Sequence, residues 1–351
     1  MPFSMEKPSL GVFFDSDFAT IDSLLAVALV HGMHGKKDCQ MAIVTMSRPG
    51  LETAAYVDMV ERYYRGPAGN FAQVPPVGMP LRGRPLATPA AYLVPLAKKK
   101  ADDTPAHEVQ VKNFFDTADP NTLIRNYLEA QYDGNGAFVL AGPATTLAAS
   151  LDFPGMKQMI AAKIRYLVVA GGAFPDGPPE ANVAADIPAA QRLFAEWPTP
   201  IVASGHEIGS ALRFPGASID KEFVATSPDH PVADAYRAWR ALPYDAPTGA
   251  MAAALYAGRA KEGYFQLSDP GVISAGDDGR TSFTASATGK HRYLILDSAE
   301  KDRILQDYVE LASAKPVVIR RRFIKPDAEV NPAEEKKAAD HGDEAVAPKP
   351  R

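Results

Sequence analysis

Residues 12 to 22 read Val12-Phe13-Phe14-Asp15-Ser16-Asp17-Phe18-Ala19-Thr20-Ile21-Asp22, an apolar run that leads into three carboxylates. The apolar part is typical of a buried strand, and the segment from Ile21 onward predicts a buried helix that ends at Gly32. Side chains alternate between the two faces of a strand, so we expect Asp15 and Asp17 to point the same way at its carboxyl end. Asp22 lies in the first helical turn and can reach the same place.

Three carboxylates that meet at the carboxyl end of a strand need a positive partner. This is the edge at which open α/β sheets bind their ligands, and like charges there repel one another unless a cation lies among them. A hard cation with oxygen ligands, such as Ca²⁺ or Mg²⁺, fits this chemistry. The alternative is structural: Asp17 caps the helix and Asp22 interacts favourably with the helix dipole.

The following segments repeat the order of strand then helix. Residues 41–46 predict a second buried strand and residues 51–64 a second helix. Such alternation predicts an α/β fold with an open, mostly parallel, Rossmann-like sheet flanked by helices. Further strands that run into loops with Gly, Pro or Ser are predicted at 137–141, 166–170 and 200–204, and a hairpin turn at 276–279.

The chain is expected to hold one domain and a tail. Its 351 residues suffice for one large α/β domain or two small ones, and we place a single domain at residues 8–325. Residues 326–351 carry seven acids and four bases, and therefore three of the five net negative charges, with almost nothing to bury. That composition predicts a disordered, charged tail.

The composition of the chain limits the classes of partner and the cellular compartment that we expect. The net charge of −5 and the lack of a basic stripe argue against a nucleic-acid partner. No apolar run reaches the roughly 18–20 residues that a membrane span needs, and the first residues lack the pattern of a signal peptide. A single cysteine excludes an internal disulfide bond. We therefore expect a cytoplasmic protein.

Four stretches, in order along the chain, resemble motifs of the inosine-uridine-preferring nucleoside hydrolase family. The match covers roughly residues 10 to 315 and implies one nucleoside-hydrolase-like α/β domain. The stretches are Asp15-Ser16-Asp17-Phe18-Ala19-Thr20-Ile21-Asp22, Gly142-Pro143-Ala144-Thr145-Thr146-Leu147-Ala148, Gly171-Gly172-Ala173-Phe174 with Glu180-Ala181-Asn182-Val183-Ala184-Ala185-Asp186, and the helix that begins near Pro247.

The resemblance implies metal-dependent hydrolysis of the N-glycosidic bond of a ribonucleoside or related N-riboside. A bound Ca²⁺ would orient a water molecule and grip the sugar hydroxyls, and a carboxylate would take the water's proton. It also implies a homodimer or homotetramer. The implied roles are metal ligand and general base for Asp17, metal ligand for Asp22 and for the carbonyl of Thr145, ribose binding for Glu180 and Asn182, and support for Asp15.

The chain departs from the family's pattern at several of these positions. Ile21 stands where the family has the first of two adjacent aspartates, and Ala250 stands where a late aspartate binds the metal. The Asn that usually follows the second strand is absent, and Ser47 or Arg48 takes its place. Asp245 is a candidate to replace the carboxylate that is missing at position 250.

Two other functions stay open. Ile21 and Ala250 suggest a weakened or inactive relative that binds a nucleoside, a sugar or a partner in the same crevice. A phosphatase of the haloacid dehalogenase type also opens with Asp-x-Asp after a strand, but that family wants Thr or Val where this chain has Ala19, and no downstream lysine or paired aspartate is evident. His206, after another strand, is a candidate proton donor to a leaving base.

Overall fold

The computed structural model describes residues 9–65, 74–87 and 91–316. The expected tail at 326–351 lies outside these residues, and so does the last part of the expected domain. The described residues belong to one compact unit, which ends at Val317. None of the helices in the described residues is long and apolar enough to cross a membrane.

Within the described residues, nine strands form one mixed sheet in which parallel pairs predominate. The order is β10-β9-β11-β5-β4-β3-β1-β2, and β8 pairs with β11. Strands β2, β1, β3, β4, β5 and β11 run parallel, whereas β8, β9 and β10 form antiparallel pairs. These strands are β1 Leu10–Ser16, β2 Cys39–Met46, β3 Gly136–Leu140, β4 Ile164–Ala170, β5 Ile201–Ser204, β8 Phe265–Leu267, β9 Gly271–Ala275, β10 Thr281–Ala285 and β11 His291–Leu296. A small second sheet pairs β6 Arg213–Phe214 with β7 Ala246–Pro247.

Helices cover both faces of the sheet, because the inner strands are apolar on both sides. Val12 and Phe14 point into one core and Phe13 into the other, as the two-residue period of a strand requires. The helices of the described residues are α1 Ile21–Gly35, α2 Leu51–Arg65, α3 Pro120–Ala130, α4 Thr145–Ser150, α5 Met156–Lys163, α6 Ala181–Ala185, α7 Ile187–Glu196, α8 His206–Ala211, α9 Val224–Thr226, α10 Pro231–Trp239, α11 Gly249–Arg259 and α12 Lys301–Ala312.

The two cores divide these helices between the faces. Helices α1, α2, α10, α11 and α12 contribute to the first core, and α3, α4, α5 and α7 to the second. The predicted fold class is therefore confirmed, and so is the hairpin turn at 276–279, which joins β9 to β10.

The predicted end of the first helix at Gly32 is wrong. Helix α1 continues to Gly35, and Gly32 lies inside it. A Cβ atom at Gly32 would lie 2.0 Å from the carbonyl oxygen of Leu311 in α12. This glycine serves the close approach of two helices and does not end one.

Candidate functional site

Strand β1 lies at the point where the order of the sheet changes direction. Along the chain, β2 is added on one side of β1, and β3, β4 and β5 are then added on the other side. Open α/β sheets bind ligands outside the carboxyl ends of the strands at such a point. The Ser16 hydroxyl donates a hydrogen bond to the carbonyl of Ala141, at 3.0 Å, and so connects the ends of β1 and β3.

A tight turn at Phe18 directs the chain from β1 into α1. Phe18 is buried and has a left-handed φ of 52°, which is uncommon for a residue other than glycine. Its N–H donates to the Ser16 hydroxyl at 2.9 Å, and its carbonyl accepts from the Tyr92 hydroxyl at 2.5 Å. Because β1 ends at Ser16, the alternation of the strand does not extend to Asp17, and the expectation that Asp15 and Asp17 point the same way stays a prediction.

A cavity of about 340 Å³ opens at this edge of the sheet. Its volume is in the range that binds small organic molecules. Four of the six predicted site residues line this cavity, namely Asp17, Asp22, Glu180 and Asn182. The sequence motifs thus meet in space although they lie more than 150 residues apart along the chain. Asp15 and Thr145 are not among the lining residues.

Arg48, directly after β2, binds the carboxylate of Asp17. Its Nε donates to Asp17 Oδ2 at 3.1 Å, and the other carboxylate oxygen accepts the N–H of Ala19 at 3.0 Å. Burial raises the pKa of Asp17, while the N–H of Ala19 and the guanidinium of Arg48 oppose that rise. Sequence reasoning placed Arg48 near the sugar and did not foresee this ion pair.

Asp22 binds the N-terminus of α11, the helix that carries Ala250. Its Oδ2 accepts the N–H of Ala250 at 2.6 Å and its Oδ1 accepts the N–H of Met251 at 3.2 Å. Burial raises the pKa of Asp22 to about 7 even though these two hydrogen bonds stabilise the ionised form. Asp22 therefore lies at the start of α1 but interacts with the N-terminus of another helix.

Asp15 is fully buried behind the cavity. Its Oδ2 accepts the hydroxyl of Thr45 at 2.6 Å, and its Oδ1 has no hydrogen-bond partner among the described residues. Burial raises the pKa of Asp15 to about 8, so the side chain is mostly protonated at neutral pH. The supporting role expected of Asp15 stays a prediction.

Glu180 and Asn182 are anchored by the loop that follows β4. Glu180 Oε2 accepts the N–H groups of Gly172, Asn182 and Val183 at 3.0 to 3.2 Å. The amide of Asn182 donates to the carbonyl of Ala170 at 2.8 Å. Burial raises the pKa of Glu180 against these backbone bonds. Glu180 is held through Oε2 and Asn182 through its amide nitrogen, so Glu180 Oε1 and the side-chain oxygen of Asn182 stay available to a ligand.

Thr145 is exposed at the start of α4. Its hydroxyl donates to Asp186 Oδ2 at 2.6 Å. The role of its carbonyl as a metal ligand stays a prediction. Asp245, the candidate replacement for the carboxylate missing at position 250, does line the cavity, but its Oδ1 accepts the N–H of Gly216 at 2.9 Å.

Other residues of the cavity wall were missed or were assigned a different role. Trp239 lines the cavity and also stacks on Tyr92 with ring centroids 6.1 Å apart. The buried hydroxyl of Ser204 lines it without a hydrogen-bond partner among the described residues. Its position at the end of β5 was the signal that could have identified it. The remaining charged and aromatic residues of the wall are His206, Arg213, Arg240 and Tyr244.

The donor set does not fit the calcium ion that the resemblance implies. No three His, Cys, Asp or Glu side chains of the described residues cluster closely enough to hold a metal ion. All four carboxylate oxygens of Asp17 and Asp22 already accept hydrogen bonds from the protein. Because Ca²⁺ affinity follows the number and charge of its oxygen ligands, this arrangement is unfavourable for it.

The fold is similar to that of solved nucleoside hydrolases. A plant nucleoside hydrolase is 17% identical in sequence to this chain, with a TM-score of 0.64. The alignment covers 88% of this chain and 100% of the plant protein. A purine-preferring ribonucleoside hydrolase from Gardnerella vaginalis is 16% identical over 86% of this chain and 98% of its own, with a TM-score of 0.63. An inosine-guanosine nucleoside hydrolase is 14% identical over the same shares, with a TM-score of 0.66. No family model and no curated protein matches the sequence.

Proposed function

From the premise that this chain has the nucleoside hydrolase fold, we propose that it hydrolyses the N-glycosidic bond of a ribonucleoside or related N-riboside. The observation that carries the proposal is the cavity at the carboxyl edge of the sheet, where Asp17, Asp22 and Glu180 meet. The proposed ligand is a neutral riboside whose sugar lies against these carboxylates.

Carboxylates in the cavity favour the transition state of this reaction. Cleavage of a glycosidic bond passes through an oxocarbenium-like cation, and negative groups around the sugar stabilise the positive charge that develops there. Glu180 Oε1 and the side-chain oxygen of Asn182 have no hydrogen-bond partner among the described residues, so both can accept ribose hydroxyls.

Asp17 is the proposed general base. A water oxygen forms a bond to the anomeric carbon, the bond from that carbon to the base nitrogen breaks, and the water's proton passes to Asp17. Burial raises the pKa of Asp17, which makes its carboxylate a better proton acceptor. The departing nitrogen needs a proton, and His206 on the cavity wall is the candidate donor.

A second candidate function is riboside binding without turnover. The ion pair between Asp17 and Arg48 favours it, because a guanidinium at 3.1 Å makes the carboxylate less basic. Ala250, which stands where the family has a metal-binding aspartate, favours it as well.

Binding and cleavage are measured on the same panel of inosine, guanosine, adenosine, uridine and cytidine. Calorimetry reports binding, and chromatography of the released base reports cleavage. We expect Asp17→Asn to keep binding and to lower cleavage by about 100-fold or more, since a general base typically contributes that much. The exposed Asp302 supplies the control Asp302→Asn, which should cleave like the unmodified chain.

The outcomes separate the two functions. If the unmodified chain binds a nucleoside but does not cleave it, only the binding function holds. If none of the five nucleosides binds at millimolar concentration, neither function holds for ordinary nucleosides.

A further inference from the structure

The guanidinium of Arg48 is held in place by two hydrogen bonds. Its Nε donates to Asp17 at 3.1 Å, and its Nη1 donates to the carbonyl of Arg84 at 3.3 Å. The side chains of Arg48 and Asp17 are 17% and 9% exposed, so the ion pair is largely shielded from water. An ion pair in such surroundings is screened much less by salt than one on the surface.

Asp17 lies between two cavities, and Arg48 reaches it from the second one. The second cavity has a volume of about 320 Å³ and is lined by Asp17 and Arg48 together with Pro49, Leu51, Pro85 and Leu86. Arg48 does not line the main cavity. The guanidinium therefore compensates the charge of Asp17 while the main cavity stays open to a ligand.

The other carboxylate of the pair is compensated in a different way. Asp22 accepts the N–H groups of Ala250 and Met251, the second and third residues of an 11-residue helix. The partial positive charge of a helix N-terminus stabilises a carboxylate in this position. Both aspartates expected to hold a cation thus have positive partners within the chain itself.

We propose that the Arg48 guanidinium supplies the positive charge that a divalent cation would otherwise supply beside Asp17. The main cavity then functions without a metal ion. The guanidinium offsets the charge of Asp17, and Ile21 and Ala250 add no carboxylate at the two positions where the family has aspartates. Affinity for Ca²⁺ falls with ligand charge, and the nearby guanidinium repels a second cation.

The first test is a calorimetric titration of the EDTA-treated full chain with CaCl₂, with melting temperatures measured in parallel. We expect no saturable heat up to millimolar Ca²⁺ and no shift in the melting temperature. The double variant Arg48→Gln/Ala250→Asp exchanges the guanidinium for a third carboxylate and should gain a melting temperature that rises with Ca²⁺. Saturable binding by the unmodified chain that Asp17→Asn abolishes would overturn the proposal.

The second test is a double-mutant cycle on melting temperature. Arg48→Gln should lower the melting temperature by several degrees, because it leaves Asp17 buried without its partner. The loss should be smaller when Asp17→Asn is added, since coupled residues give non-additive effects. A matched cycle on the exposed ion pair of Arg280 and Asp278 should show almost no coupling. Additive effects at Arg48 and Asp17 would contradict the proposed compensation.

These tests are independent of the proposed hydrolysis. The titration and the melting temperatures report on cation binding and on charge compensation whether or not a riboside is cleaved. Riboside cleavage in the presence of EDTA would agree with both proposals. Cleavage that requires added Ca²⁺ would contradict the proposal of a metal-free site but not the proposal of riboside hydrolysis.

Discussion

At the scale of single residues, Asp22 has a clear structural contribution. Its carboxylate accepts the N–H groups of Ala250 and Met251, which lie 228 and 229 positions further along the chain. The first N–H groups of a helix have no partner within the helix and need one from elsewhere. Asp22 therefore fixes the start of α11 against the start of α1, whatever it does for a ligand.

We expect Asp22→Ala to lower the free energy of unfolding by about 2 kcal/mol, because it leaves these N–H groups without acceptors. Asp22→Asn keeps one acceptor and should lose less. Urea unfolding measures both. The exposed acid Glu52 in the first turn of α2 supplies the control Glu52→Ala, and equal losses for the two alanine variants would show that Asp22 has no such role.

At the scale of secondary-structure elements, the contact of α1 with α12 depends on Gly32. A Cβ atom at this position would lie 2.0 Å from the carbonyl oxygen of Leu311 and 2.8 Å from its Cα atom. Backbone atoms cannot move aside as a flexible side chain can. The two helices approach this closely only because position 32 has no side chain.

We expect Gly32→Ala to lower the free energy of unfolding by about 2 kcal/mol, since overfilling a packed contact typically costs that much. Gly249→Ala is the matched control, because a Cβ there would meet only Asp22 Oδ2 at an ordinary 3.8 Å. Chemical denaturation of both variants gives the comparison. A Gly32→Ala variant as stable as the control would contradict the close contact.

At the scale of the whole molecule, Glu61, a buried carboxylate at the contact of α2 with α1, contributes to the pH dependence of stability. Glu61 lies 2.8 Å from His31 and 3.1 Å from Arg65, and the side chains of Glu61 and His31 are both 4% exposed. Burial alone would raise the pKa of Glu61, but His31 and Arg65 outweigh it and hold this pKa at about 2. The ordinary pKa of a glutamate side chain is 4.5. The stability that Glu61 contributes is therefore fully present above pH 4.5 and is lost as the pH falls from 4.5 toward 2.

We expect Glu61→Gln to lower the free energy of unfolding by roughly 3 kcal/mol at pH 7, because Arg65 then loses its carboxylate partner and the buried contact with His31 is weakened. The difference from the unmodified chain should shrink as the pH is lowered from 4.5 to 3. Urea unfolding across this range measures it, with the exposed Glu129→Gln as the control. A difference that does not change with pH would exclude the ionisation of Glu61 as its cause.

The homodimer or homotetramer implied by the resemblance stays a prediction for the assembled molecule. Light scattering on the full chain during size-exclusion chromatography measures the mass directly. A mass of two or four chains is expected, where one chain has a mass of 37.6 kDa. The mass of a single chain would contradict the prediction.

Local patterns determined the elements and most of the site. The apolar runs and their periods predicted β1, α1, β2 and α2 to within a few residues, because side chains repeat on one face every 3.6 residues in a helix and every two residues in a strand. Four of the six predicted site residues line one cavity, since the carboxyl ends of parallel strands meet at one edge.

Only the tertiary structure decided which partners these residues have. Arg48 beside Asp17, α11 on Asp22 and α12 against Gly32 each join segments that lie between 31 and about 280 positions apart. No local period contains such contacts, because they arise from how the helices pack on the sheet. The sequence by itself determined that three carboxylates lie at one strand end, and the packing determined that a guanidinium and a helix N-terminus compensate two of them.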